Sequence, residues 1–438
     1  MRVMLTRSVV LAMVVVLVTA GTLVASPPFV EDDAELIYSL VGESDGDLFG
    51  WVAANISDIT GDGVDDILVP AIVDGTGGPA AGRAYVYSGA NGSLLNTIDG
   101  EDFELLGYST AGAGDVDADG VPDYILGAPG SGFAPEPPLG RAVVISGADH
   151  SVLLEVEPSE RNFFGSSVSA AGDLNGDGYG DFAVGAMQDD TAAEDGGALF
   201  AYSGADGSLL WARYGDEDFG NLGGGAGLVG DVNADGVPDL SVAAPGEFEG
   251  RGLAYVVSGV DGSTIHVLRP RDDAQNFGLF FASGAGDVDA DGVGDVFVGD
   301  YNSGRQQRAG SGAAYVFSGA TGRKLLVVRA EKPGDGFGPG RGVGDVNGDG
   351  HGDVIVAAYT SSDGAPFAGK AYVYSGADGS TLRTITATVA NDNFGVDALG
   401  LGDVDGDGLT DFLITSVGLA FNGTAPGSAH VVAGIPHD

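Results

Sequence analysis

An all-β fold made of seven four-stranded sheets is predicted by three features of the sequence. The first is a nine-residue pattern, Asp-x-(Asp/Asn)-x-Asp-Gly-x-x-Asp. It recurs seven times, starting at Asp58, Asp115, Asp173, Asp231, Asp287, Asp345 and Asp403. The spacings are 57, 58, 58, 56, 58 and 58 residues, so the pattern belongs to a structural repeat. The second feature is that each copy is embedded in short apolar or alternating runs separated by Gly-rich turns, four strands' worth per repeat. The third is that the repeats are permuted: the last stops after its third strand, Ala429-His430-Val431-Val432, and an orphan fourth strand, residues 35–40, stands at the front. Together these predict a seven-bladed β-propeller whose N-terminal strand completes blade seven and latches the ring.

The elements follow in order. Residues 1–26 read as a signal peptide: Arg2 and Arg7 precede an apolar run over residues 8–18, followed by small residues. That run is short for a membrane span, so cleavage and no stable span are expected. Residues 27–34 read as a linker and 35–438 as the propeller. Within each repeat the first strand is rich in Gly, Ala and Ser, as in residues 167–172, and is placed at the axis, where large side chains do not fit. An aromatic residue or Leu followed by Gly precedes each acidic loop, as at Phe49-Gly50, Leu106-Gly107 and Phe164-Gly165. The second strand, such as Ile67-Leu68-Val69, is apolar on both faces because a blade lies between two others. A variable loop, an alternating strand (Ala84-Tyr85-Val86-Tyr87), a Ser-Gly turn and a last strand complete the unit.

The acidic loops carry the chemistry. Oxygen-bearing residues at alternate positions, with Gly at position six for a sharp reversal, suit a hard cation such as Ca2+, which takes six to eight oxygens. In loop 58–66, Asp58, Thr60, Asp62 and Asp66 are expected to give side-chain oxygens and Val64 its carbonyl. Loop 115–123 assigns the same roles to Asp115, Asp117, Asp119, Asp123 and the Val121 carbonyl. Loop 173–181 assigns them to Asp173, Asn175, Asp177, Asp181 and Tyr179, and loop 231–239 to Asp231, Asn233, Asp235, Asp239 and Val237. Asp287, Asp289, Asp291, Asp295 and Val293 form the set in loop 287–295. Asp345, Asn347, Asp349, Asp353 and His351 form it in loop 345–353. Asp403, Asp405, Asp407, Asp411 and Leu409 form it in loop 403–411. Up to seven structural Ca2+ ions are expected, the first loop binding more weakly because Thr60 replaces a carboxylate or amide. The closing Asp at position nine, followed at once by a β-strand, excludes the helix-flanked calcium loops, which close at position twelve.

Phe164-Gly165, the loop 173–181 and Gly127-Ala128-Pro129 resemble the FG-GAP repeats of the integrin α-subunit propeller, and the likeness runs from Glu35 to the C-terminus. The chain is more similar to secreted bacterial FG-GAP proteins than to a true integrin. In integrins only some blades carry the calcium loop, whereas here all seven do. The resemblance implies a propeller, calcium between strands one and two of each blade, and a role in adhesion or extracellular binding.

Composition narrows the partners. With 63 acidic and 18 basic residues the formal net charge is −45, which excludes binding to nucleic acid through its phosphates. With no cysteine, disulfides, thiolate metal sites and cysteine nucleophiles are excluded. No catalytic constellation stands out, so the expectation is a secreted, extracellular or cell-surface binding module with a protein or polysaccharide ligand, and not an enzyme. An extracellular polysaccharide hydrolase or lyase, or a self-assembling surface protein, are the alternatives. The least repetitive segments are 74–82, 130–139, 187–197, 300–311, 359–369 and 416–427. They fall on the face opposite the acidic loops, where ligand specificity is expected. Ten of the eighteen basic residues lie between Arg251 and Arg341. Arg305 and Arg308, with Arg329, Lys332 and Arg341, are expected to form a basic patch on that face for an anionic ligand.

Overall fold

The computed structural model describes residues 28–132, 134, 137–303, 311–417 and 425–436. The signal-peptide reading, Arg305 and Arg308 lie outside the described residues. The strands form seven antiparallel four-stranded sheets. Blade three shows the pattern: Phe164–Gly172, Asp181–Ala186, Ala198–Tyr202 and Leu209–Tyr214, hydrogen-bonded in that order. The innermost strands contact one another in sequence, and the first of these (Ala54–Asn55) also meets the seventh (Phe394–Gly402), so the blades close into a ring.

Closure takes the predicted form. Leu36–Val41 pairs antiparallel with Ser428–Val432, running from Leu36 opposite Val432 to Val41 opposite Ser428. The strand thus supplies the outer edge of a blade whose other three strands come from the C-terminal end. The segment before it is not the linker expected from its sequence. Phe29 is buried and packs 5.5 Å from the ring of Phe394. Glu31 accepts hydrogen bonds from the Thr386 amide and from the Thr384 and Thr386 hydroxyls. A large apolar side chain two residues ahead of a carboxylate is what lets so short a segment dock.

The core is divided among the blade interfaces. Seven clusters of buried apolar residues occur, each drawing on two adjacent blades. The aromatic or Leu before each Gly anchors a cluster: Phe49, Leu106, Phe164, Leu222, Phe277, Phe337 and Phe394 are all at most 1% exposed. The Gly that follows turns the chain into the blade. At Gly165, φ is +91°, and an added Cβ would lie 2.6 Å from the Arg141 carbonyl oxygen. Both conformation and space therefore demand Gly there. Among the described residues the helix is a single turn, Glu247–Gly250, in the loop after strand two of blade four.

Candidate metal loops and axial cavity

Each acidic loop is held open by its own backbone. In blade three, Asp173 Oδ1 accepts from the Gly176 and Asp177 amides at 2.7 and 3.1 Å, and Oδ2 from Gly178 at 3.0 Å. Asp177 Oδ1 accepts from the Tyr179 amide at 3.0 Å. The Gly at position six has φ between +87° and +91° in all seven loops, a conformation that L side chains rarely adopt.

The position-nine aspartates do something the sequence did not disclose. Asp66, Asp123, Asp181, Asp239, Asp295, Asp353 and Asp411 are fully buried. In every blade one oxygen accepts from the amide of loop position two at 2.7–3.0 Å. The other accepts from a Gly amide beyond strand three at 2.7–3.1 Å, Gly204 in blade three. The residue is thus a staple between two turns of one blade as well as a candidate ligand. The recurring Ser-Gly after strand three was the available sign of it.

Where position three is also Asp, carboxylates crowd. Oxygens of Asp115, Asp117 and Asp123 lie within 4.8 Å of one another, as do those of Asp287, Asp289 and Asp291, and those of Asp403, Asp405 and Asp411. Burial, with a neighbouring carboxylate adding to it, pushes Asp123, Asp295 and Asp411 up to about 6. Burial also raises Asp66, Asp181, Asp239 and Asp353. Such a cluster suits a hard divalent cation, which replaces mutual repulsion by attraction. In the first loop the Thr60 hydroxyl donates to Asp58 Oδ1 at 3.3 Å, and Asp65 is turned away to the Asn55 side-chain amide at 2.8 Å. The His351 side chain reaches sideways: its Nδ1 lies 2.8 Å from the Val288 carbonyl oxygen of the preceding blade's loop.

The basic patch expected from the sequence is not assembled among the described residues. Arg329 is paired with Asp273 at 3.1 Å, and Lys332 with Asp363. Arg341 lies in the innermost strand of blade six and faces the axis. One of its terminal nitrogens donates to both oxygens of Asp397 at 2.6 Å. Asp397, in the innermost strand of blade seven, is fully buried and also accepts from the Ala53 amide at 3.1 Å. The two residues are the charged side chains of an axial cavity of about 240 Å3 otherwise lined by Ser, Thr, Gly, Ala and a few larger apolar residues. At the end away from the acidic loops a second, apolar cavity of about 230 Å3 shares Val52, Phe280 and Phe281 with it. Its rim is an arc of rings in contact. Trp51 lies 5.9 Å from Phe280, Phe280 6.5 Å from Phe281, Phe281 6.3 Å from Tyr301, and Tyr301 6.3 Å from Tyr359. The residues come from blades one, five and six and meet across the axis. Trp51, Phe280 and Phe281 stand one to three residues after a Phe-Gly pair, and Tyr301 and Tyr359 directly after strand two, which was the sequence signal for this arc.

The model of the FG-GAP repeat matches residues 164–202, 223–267 and 337–374, which lie in blades three, four and six. The chain carries FG-GAP repeats within its propeller. Curated relatives of this FG-GAP propeller include integrin alpha-4 of Xenopus laevis, 29% identical over 59% of this chain and 26% of that protein. Integrin alpha-V of Gallus gallus is 31% identical over 46% of this chain and 20% of that protein. Integrin alpha-5 of Xenopus laevis is 32% identical over 36% and 16%. The FG-GAP propeller therefore spans about a quarter or less of the relatives it matches. Among solved structures, the crystal structure of Saccharomyces cerevisiae Sqt1 superposes with a TM-score of 0.53 at 12% identity, over 86% of this chain and 83% of that one. This likeness is one of fold. Among the described residues no helix is long and apolar enough to cross a membrane.

Proposed function

We propose that this FG-GAP propeller is a secreted, calcium-loaded module that binds an extracellular protein or polysaccharide, and that it is not an enzyme. The observation that carries the reading is the division of labour between its two faces. On one face every blade repeats the same acidic loop, its carboxylates preset by backbone amides, as expected of structural metal sites that recur with the fold. On the other face the repeats lose their uniformity, and an aromatic arc surrounds the axis. The integrin alpha relatives favour binding over catalysis. Asp, Asn and Thr side chains at positions one, three, five and nine, with the position-seven carbonyl, would hold Ca2+. The ion would supply the charge that the clustered carboxylates lack.

Thermal unfolding of the mature chain in millimolar calcium and in chelator tests the metal. A large calcium-dependent rise in Tm is expected, because ligand that binds only the folded state stabilises it by mass action. Equal Tm values would overturn the calcium assignment.

A further inference from the structure

We propose that the axial mouth is a saccharide site, taking the end of a neutral glycan between its aromatic rim and polar floor. This rests on the reading of the protein as an extracellular binding module and names the ligand class of its axial face.

The rim offers ring faces. Trp51, Phe280, Tyr301 and Tyr359 line the outer cavity, and the negative face of an aromatic ring attracts the polarised C–H groups on the apolar side of a sugar. The floor offers donors. Arg341 keeps its side chain 31% exposed while Asp397 fixes its position. Ser and Thr hydroxyls line the same wall. Trp51 Nε1, Thr110 Oγ1, Ser283 Oγ and Arg341 Nε are buried and find no hydrogen-bond partner among the described residues. Buried polar groups ordinarily have partners, and partnerless donors on residues that line the inner cavity (Thr110, Ser283, Arg341) and the outer one (Trp51) leave the axial mouth short of hydrogen-bond acceptors. The two cavities, about 240 and 230 Å3, together reach the low end of the ~300–1,000 Å3 typical of small-molecule sites.

The same features discriminate against other guests. A guanidinium or ammonium would stack on the rings, but it brings no acceptor to the donors of the floor. An acidic polymer would approach a chain of net charge −45, and Asp397 already neutralises Arg341. A purely apolar ligand would leave the Ser and Thr hydroxyls of the wall without partners from the guest.

Intrinsic fluorescence reads the site directly. The chain has two tryptophans, and Trp211 is buried on the outer strand of blade three with its indole N–H on the Gly259 carbonyl. Ligand-dependent emission changes therefore report Trp51. The calcium-loaded full chain would be titrated with neutral hexasaccharides (α-glucan, β-glucan, mannan and xylan) and, separately, with hexa-arginine. At least one hexasaccharide is expected to bind at roughly millimolar concentration or better, with Tyr359→Ala weakening it at least about tenfold. The double variant Arg341→Gln/Asp397→Asn, which removes the pair without leaving a lone buried charge, should weaken it as much with an unchanged calcium-dependent Tm. Binding of hexa-arginine with inert saccharides would overturn the proposal, and so would saccharide affinity indifferent to both variants. Failure of every probe would overturn it too. The wider reading falls only if the calcium dependence of Tm is also missing.

Discussion

Asp300 shows how one residue can work against the fold that holds it. In blade two the corresponding position is Ala128, at the inner end of a buried strand; in blade five it is a carboxyl group with no exposed surface. The Gln275 amide donates to Oδ2 at 3.3 Å, while Oδ1 has no partner among the described residues. Burial pushes this group up to about 8. Its unfolded value is about 3.9, so between about pH 4 and pH 8 the folded chain keeps a proton that the unfolded chain releases. Stability from this residue is thus full below about pH 4 and declines as pH rises towards 8. Asp300→Asn should raise stability at pH 7 by roughly 1–4 kcal/mol and flatten that slope, as measured by urea unfolding at several pH values. An unchanged slope would show that another group carries it. Asp181 makes the opposite case. Alanine there deletes two buried acceptors and strands two amides, so Asp181→Ala should cost about 2–4 kcal/mol. The loss should appear in chelator as well as in calcium, because the staple between the two turns exists without the ion. A loss seen only in calcium would reduce Asp181 to a metal ligand.

At the scale of the element, the repeat made most of the blade legible. Period, strand count and the order of apolar and Gly-rich segments follow from local chemistry that a sequence records: a buried strand must be apolar, and a reversal at φ near +90° must be Gly. The acidic loop was legible for the same reason. What was hidden depends on pairs of residues remote in sequence. The second duty of the position-nine aspartates needs a turn about 23 residues downstream to fold back onto the loop. Arg341 read as part of a basic patch because charge was counted along the chain. Its innermost strand turns it to the axis, where Asp397 of the next blade waits 56 residues away. The aromatic arc was missed because its rings come from blades one, five and six, and the repeat positions they share show only when blades remote in sequence are laid side by side. Phe29 was missed because the eight residues 27–34 carry too little periodicity to separate a docked segment from a linker.

At the scale of the whole molecule, each blade is flanked by two others, and the ring has one seam stitched by a strand from the far end of the chain. Phe29 and Leu40 alone contribute about 3–6 kcal/mol of apolar burial to it. Deleting residues 28–41 should leave blade seven with three strands, lower Tm markedly and broaden the transition. Adding the peptide 28–41 in trans should restore part of the loss. A deletion with wild-type unfolding would mean that the seam does not hold the ring.

That seam has a consequence for timing and for stoichiometry. Six blades are built from strands close together in the chain, but Leu36 can meet Val432 only when everything between them has been made. Closing so long a loop is entropically costly and slow, and it comes last. Until then a fully formed arc of blades carries a loose strand at one end and a waiting edge at the other. Two such arcs in a concentrated solution can satisfy each other as readily as themselves, head to tail, and the join does not require the ring to close. Dilute refolding therefore favours single rings, and crowded refolding favours open strings of exchanged copies with every local contact intact.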